Sequence, residues 1–139
     1  MATPEPFVFV AFGGTGDLAR RKLLPALRSL MEQGQIDDRS PVLAVATQKL
    51  TDEQYRATAR AAAGDGPSHG RWAERLFYQT IGESGAEDFR AVAARIAALE
   101  QQYSLPGCRV FYLALPPAVF PDAVSRQRLA EFVAGDRER

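Results

Sequence analysis

The sequence predicts one α/β domain over residues 1–139, a doubly wound parallel sheet with helices on both faces. Three observations predict it. Short runs such as Phe7–Phe12 and Val42–Ala46 are apolar at nearly every position, which suits strands buried on both faces. They alternate with longer segments whose apolar residues recur at steps of three and four, the spacing of one helix face. A chain of 139 residues is also long enough to bury a core and too short for two ordinary domains.

The elements follow in order. After a loose Met1–Pro6 leader, Phe7–Phe12 is a buried strand stopped by Gly13-Gly14-Thr15-Gly16. Leu18, Leu23, Leu24, Leu27, Leu30 and Met31 then mark a helix from Asp17 to about Gly34. Pro25 falls inside it. Proline donates no amide hydrogen and its ring collides with the preceding turn, so a break or kink is expected near Leu24. Val42–Ala46, between Pro41 and the polar Thr47-Gln48-Lys49, is a second buried strand. Thr51-Asp52-Glu53-Gln54 has the spacing of a capping box and opens a helix to Ala63. Gly64–Gly70 is dense in turn formers and reads as a loop.

Leu76–Thr80 is a third strand candidate, although Trp72–Phe77 also fits a helix. Phe89, Val92, Ile96, Leu99 and Tyr103 lie on one face of a helix spanning Ala86–Gln102. Arg109–Leu115 is a fourth strand, closed by Pro116-Pro117. A last helix carrying Val119, Phe120, Val124, Leu129, Phe132 and Val133 precedes a charged tail.

Seventeen basic residues balance seventeen acidic ones, so no overall field favours nucleic acid or an anionic membrane as a partner. No apolar run approaches the roughly 20 residues of a membrane span, and no basic leader with a cleavage site is present. A cytoplasmic location is expected. Cys108 has no second cysteine to pair with, and His69 is the lone histidine, so neither a disulfide nor a zinc site is expected.

In a doubly wound sheet, ligands settle at the carboxyl ends of the strands. Gly14-Thr15-Gly16-Asp17-Leu18-Ala19 fits Gly-x-Gly-x-x-Gly/Ala between a strand and a helix, the setting of a Rossmann-like dinucleotide turn. Glycine at 13 or 14 permits the sharp turn, Gly16 admits a pyrophosphate to the backbone, and Ala19 lets helix and strand pack closely. Amides at the helix start supply donors and a partial positive charge. The plainer alternative is a tight turn with no ligand. The Gly-Lys-Ser/Thr ending of a P-loop is absent.

Thr47-Gln48-Lys49 follows the second strand, where NAD sites place a carboxylate on the ribose. With no carboxylate to repel a 2′-phosphate, NADP is weakly favoured over NAD, and Lys49 is either its electrostatic partner or a solvated lysine. Arg20-Arg21-Lys22 puts three cations in the first turns of a helix, where the dipole disfavours them unless an anion is near. A phosphate is one such anion; snorkelling side chains are the alternative.

The stretch Phe12-Gly13-Gly14-Thr15-Gly16-Asp17-Leu18-Ala19-Arg20-Arg21-Lys22-Leu23-Leu24-Pro25-Ala26-Leu27 resembles the N-terminal signature of the glucose-6-phosphate dehydrogenases, proline included. Phe111–Phe120, with Ala-Leu-Pro-Pro at 114–117, is similar to a later strand and loop of the same family. The resemblance covers nearly the whole chain but only the nucleotide-binding part of a longer enzyme. It implies that Gly13, Gly14, Thr15, Gly16, Asp17 and Leu18 hold the NADP pyrophosphate. It further implies that Ala114, Leu115 and Pro116 border the cofactor and that Lys22 points into the shared substrate and nicotinamide site. The family usually has arginine after the second strand to grip the 2′-phosphate; here Thr47 and Gln48 stand there, and NAD is possible as well as NADP.

The family's segment Arg-Ile-Asp-His-Tyr, which carries its general base, is not in these 139 residues, and His69 does not match it. The resemblance thus implies the dinucleotide-binding domain of a glucose-6-phosphate dehydrogenase-like oxidoreductase of the pentose phosphate pathway, one that needs a further domain or subunit for catalysis. The competing expectation is an interaction module that keeps the fold without the cofactor.

Overall fold

A computed structural model describes residues 5–37, 39–63, 72–82 and 86–113. Four parallel strands, β1 (Val8–Phe12), β2 (Val42–Ala46), β3 (Leu76–Thr80) and β4 (Arg109–Leu113), form a sheet in the order β3-β2-β1-β4. The helices α1 (Leu24–Glu32), α2 (Asp52–Ala63) and α3 (Ala86–Gln102) lie between them. The doubly wound α/β reading is thereby confirmed.

Alternation along each strand divides the core in two. Ala11, Ala44, Ala46, Leu76 and Tyr78 face α1 and α2, packing with Leu24, Leu27, Met31, Tyr55, Ala59 and Trp72. Val8, Val10, Phe12, Leu43, Val45 and Phe77 face α3 through Val92, Ile96 and Leu99. Successive strands step from β1 to β2 to β3 with helices on the first face. The chain then returns past β1 to β4 with α3 on the second, as right-handed crossovers require. Phe12 is level with Val45 on one side and Leu113 on the other, so the carboxyl ends of these three strands lie together at the switch point.

The disturbance expected at Pro25 takes a specific form. Ala19–Leu23 is a π-helical turn, closed by the Leu24 amide donating to the Ala19 carbonyl, and α1 begins immediately behind it. Widening the turn moves carbonyls away from a proline ring that a regular helix would force against them. The helix therefore continues past Pro25 to Glu32 instead of breaking.

The capping box forms as its spacing predicts. Gln54 N–H donates to Thr51 Oγ1 at 3.1 Å, and Thr51 N–H donates to Gln54 Oε1 at 2.8 Å. Both readings of the third segment are partly right: Trp72 and Ala73 are helical, and the strand begins only at Leu76. The first strand starts one residue later than expected, at Val8. The expected loop at 64–70, with His69, the end of the fourth strand at 114–115, and the last helix lie outside the described residues.

Candidate functional site

The site begins with the turn after β1. Gly13 has φ +85°, a left-handed conformation that a side chain would strain, and it bends the chain back over β2. The amides of Gly13 and Gly14 both donate to the Val45 carbonyl, at 2.7 and 3.3 Å. Gly14 is glycine for a different reason. A Cβ there would stand 2.5 Å from the Ala44 Cβ and 3.2 Å from the Tyr55 hydroxyl. It is wedged between β2 and α2, and the small Ala44 makes room for it.

Gly16 is different again. A Cβ there would meet only the Gly13 carbonyl oxygen, at 3.3 Å, and otherwise enter open space. Packing within the described chain thus does not require glycine at 16, whereas close approach by an external group does. Gly16 N–H is occupied by the Gly13 carbonyl, and Arg20 N–H by the Gly16 carbonyl. Among the described residues the amides of Thr15, Asp17 and Leu18 have no hydrogen-bond acceptor. Open donors at a helix start, on either side of a glycine, have the chemistry of an anion cradle and fit a dinucleotide pyrophosphate.

The two arginines of the cationic run find a carboxylate within the chain. Asp17 pairs with Arg21 at 3.0 Å and Arg20 at 3.8 Å, so a carboxylate within the chain already supplies the anion these arginines lack. The pairs are exposed and add little stability, but they offset the Asp17 charge beside the open amides. Lys22 is exposed and has no ion-pair partner among the described residues. Leu18 is 45% exposed beside the turn.

Thr47, Gln48 and Lys49 are exposed immediately beyond β2, next to the turn that hangs on Val45. The Gln48 carbonyl accepts from Tyr78 Oη at 2.7 Å and from Thr80 Oγ1 at 3.2 Å, which fixes this loop against β3. The structure therefore brings Gly13–Leu18 and Thr47–Lys49 to one end of the sheet. Ala114, Leu115 and Pro116 lie outside the described residues.

Sequence reasoning missed the pair of tyrosines behind the site. Tyr55 on α2 is buried, and its hydroxyl donates to the Gly14 carbonyl at 2.8 Å. Its ring stacks on Tyr78, with centroids 5.2 Å apart. Burial pushes the Tyr55 hydroxyl far above its ordinary value, with the neighbouring Tyr78 adding to the effect, and burial raises Tyr78 to about 12. Both are fixed neutral donors. A signal existed: Tyr55 is four residues before the buried Ala59, and a buried tyrosine needs a partner for its hydroxyl.

Residues 10–138 match the family described as glucose-6-phosphate dehydrogenase, NAD binding domain. The glucose-6-phosphate 1-dehydrogenase of Chlamydia muridarum is 33% identical over 128 residues, 86% of this chain and 25% of that protein. That of Rhizobium meliloti is 34% identical over 135 residues, 89% of this chain and 26% of that protein. The solved structure of a glucose-6-phosphate dehydrogenase in complex with its substrate glucose-6-phosphate superimposes with a TM-score of 0.79 at 26% identity. It covers 94% of this chain and 28% of that one. The chain spans about a quarter of the length of these relatives. Together with the glycine turn and the strand order, these matches show that the chain belongs to the glucose-6-phosphate dehydrogenase family and represents its nicotinamide-dinucleotide-binding domain.

Proposed function

We propose that residues 1–139 form one domain that binds NADP, and NAD more weakly, as part of a cytoplasmic glucose 6-phosphate oxidation in the pentose phosphate pathway. The observation that carries this reading is the contrast between Gly14, whose Cβ position is blocked by Ala44 and Tyr55, and Gly16, where a Cβ would meet only the Gly13 oxygen and which is flanked by amides unpaired among the described residues. In this reading Gly13, Gly14, Thr15, Gly16, Asp17 and Leu18 receive the diphosphate. Thr47, Gln48 and Lys49 flank the adenosine ribose, where no carboxylate repels a 2′-phosphate. By the same reading Ala114, Leu115 and Pro116 border the cofactor, and Lys22, which is exposed, points into the shared substrate and nicotinamide site.

When bound, the nicotinamide accepts a hydride. The chain's own contribution is to hold and orient: main-chain donors fix the diphosphate, and the tyrosine-backed loops fix the two ends of the cradle. A positioned base and a sugar-binding surface belong, in this proposal, to sequence corresponding to the rest of the longer relatives. The purified chain then binds cofactor without turning over glucose 6-phosphate. Steady NADPH production by it would overturn that part.

Calorimetric titration with NADP and NAD tests the binding itself. Saturable binding that weakens about a hundredfold in Gly16→Val is expected. A second reading, an interaction module without cofactor, is favoured by the exposure of Val110 and Tyr112 on β4, 42% and 36%. Absence of any binding at millimolar cofactor selects it.

A further inference from the structure

We infer that Tyr55 is a positioning residue for dinucleotide binding, acting through the peptide between Gly14 and Thr15; this rests on the dinucleotide reading above. A trans peptide holds its carbonyl and its amide hydrogen in one plane, pointing in opposite directions. The Gly14 carbonyl is drawn inward by the Tyr55 hydroxyl at 2.8 Å. The Thr15 N–H on the same peptide is thereby aimed away from α2, and it has no acceptor among the described residues. One buried hydroxyl thus sets the direction of one open donor of the cradle.

The arrangement around the hydroxyl gives it little freedom. Tyr55 is 1% exposed, its ring is stacked on Tyr78, and its helix is anchored one turn earlier by the Thr51–Gln54 box. The Gly14 amide is held independently by Val45 at 3.3 Å, so the two ends of Gly14 are tied to two different elements, β2 and α2. Without the hydroxyl, the Gly14–Thr15 peptide keeps only its neighbours' restraint and can rotate to rehydrate its buried carbonyl. A hydrogen bond accepted by a carbonyl also polarises its peptide and makes the attached N–H a better donor. Both effects act on an incoming diphosphate and neither acts on a ligand that lacks one.

The test is Tyr55→Phe in the full chain, which keeps the stacked ring and deletes the hydroxyl. Affinities for NADP, inorganic diphosphate and adenosine 2′-monophosphate are measured by calorimetry, with urea unfolding alongside. The expected result is about tenfold weaker binding of NADP and of diphosphate with unchanged binding of the monophosphate. A purely structural hydroxyl lowers the unfolding midpoint and leaves all three affinities of the folded protein as they were, and that result overturns the inference. If the wild-type chain binds neither NADP nor diphosphate, the dinucleotide reading itself fails and this inference falls with it. Should the variant not fold, amide NMR of the wild type decides. Diphosphate is expected to shift the Thr15 amide proton downfield together with those of Asp17 and Leu18, and a Thr15 signal that stays still while they move refutes the role.

Discussion

The outer edge of β3 and the turn after β1 both carry main-chain groups that the sheet does not pair, and the protein treats them in opposite ways. At β3, Tyr78 N–H donates to Asp52 Oδ1 at 2.8 Å and the Leu76 carbonyl accepts from Arg56 Nε at 2.8 Å. Asp52 Oδ2 accepts from Arg95 at 2.7 Å, and the guanidinium groups of Arg56 and Arg95 lie 5.0 and 5.8 Å from the Phe77 ring centre. Side chains from both helical layers thus clamp an edge that would otherwise invite another strand. At the turn after β1, the Tyr55 hydroxyl holds the Gly14 carbonyl and main-chain amides hold those of Gly13 and Gly16, while among the described residues three amides stay open. Polar backbone is sealed where pairing would be a hazard and left open where the proposed diphosphate would sit.

That contrast is most severely tested at Gly14. Gly14→Val forces atoms into Ala44 and Tyr55, and overpacking of this kind costs about 3 kcal/mol. Urea unfolding is expected to show the loss, and cofactor binding is expected to vanish with it. Gly16→Val is expected to separate the two properties. Its side chain enters open space apart from the Gly13 oxygen, so stability changes by about 1 kcal/mol or less. NADP affinity nevertheless falls about a hundredfold by steric exclusion, equivalent to about 2.7 kcal/mol. Equal losses of stability in both variants would erase the distinction between them.

Asp52→Ala attacks the sealed edge instead. It strips the acceptor from Tyr78 N–H and the partner from Arg95, both partly buried, at a cost of about 2 kcal/mol. Cofactor affinity at a temperature where the variant is folded is expected to be unchanged, measured by the same titration. A parallel loss of affinity would mean that the edge clamp also shapes the cradle.

The sheet could be read before the site because its signals are local. Apolar runs, turn residues and the Thr51–Gln54 spacing report on their own few neighbours, and the structure places β1, β2 and the capping box accordingly. The sequence also sets Gly16 apart as the point of close approach by a pyrophosphate, but it leaves the duties of Gly13 and Gly14 undivided. Only the approach of Ala44 and Tyr55, 30 and 41 residues further along the chain, shows which glycine is spent on packing. Alanine at 44 and 46, alternating with Leu43 and Val45, hinted at a close approach on one face of β2. The arginines after the turn leave phosphate and solvent open in the sequence, because the Asp17 carboxylate that pairs with them one turn away is a contact that pattern alone does not distinguish from a phosphate.

The smallest expected effect lies at the other end of the cradle. Thr47 follows β2 directly, and its loop is tied down through the Gln48 carbonyl by Tyr78 and Thr80, leaving the exposed 47 and 49 side chains on a fixed backbone. Thr47→Arg therefore adds a planar, always-charged donor without disturbing a buried contact. An exposed charge pair is worth about 1 kcal/mol, so the NADP-over-NAD preference is expected to rise about fivefold at low ionic strength. The gain is expected to shrink as salt is added, because the pair is open to solvent. A cofactor ratio that does not move would place the 2′-phosphate away from residue 47 and detach this loop from the site, while leaving the diphosphate cradle at Gly16 untouched.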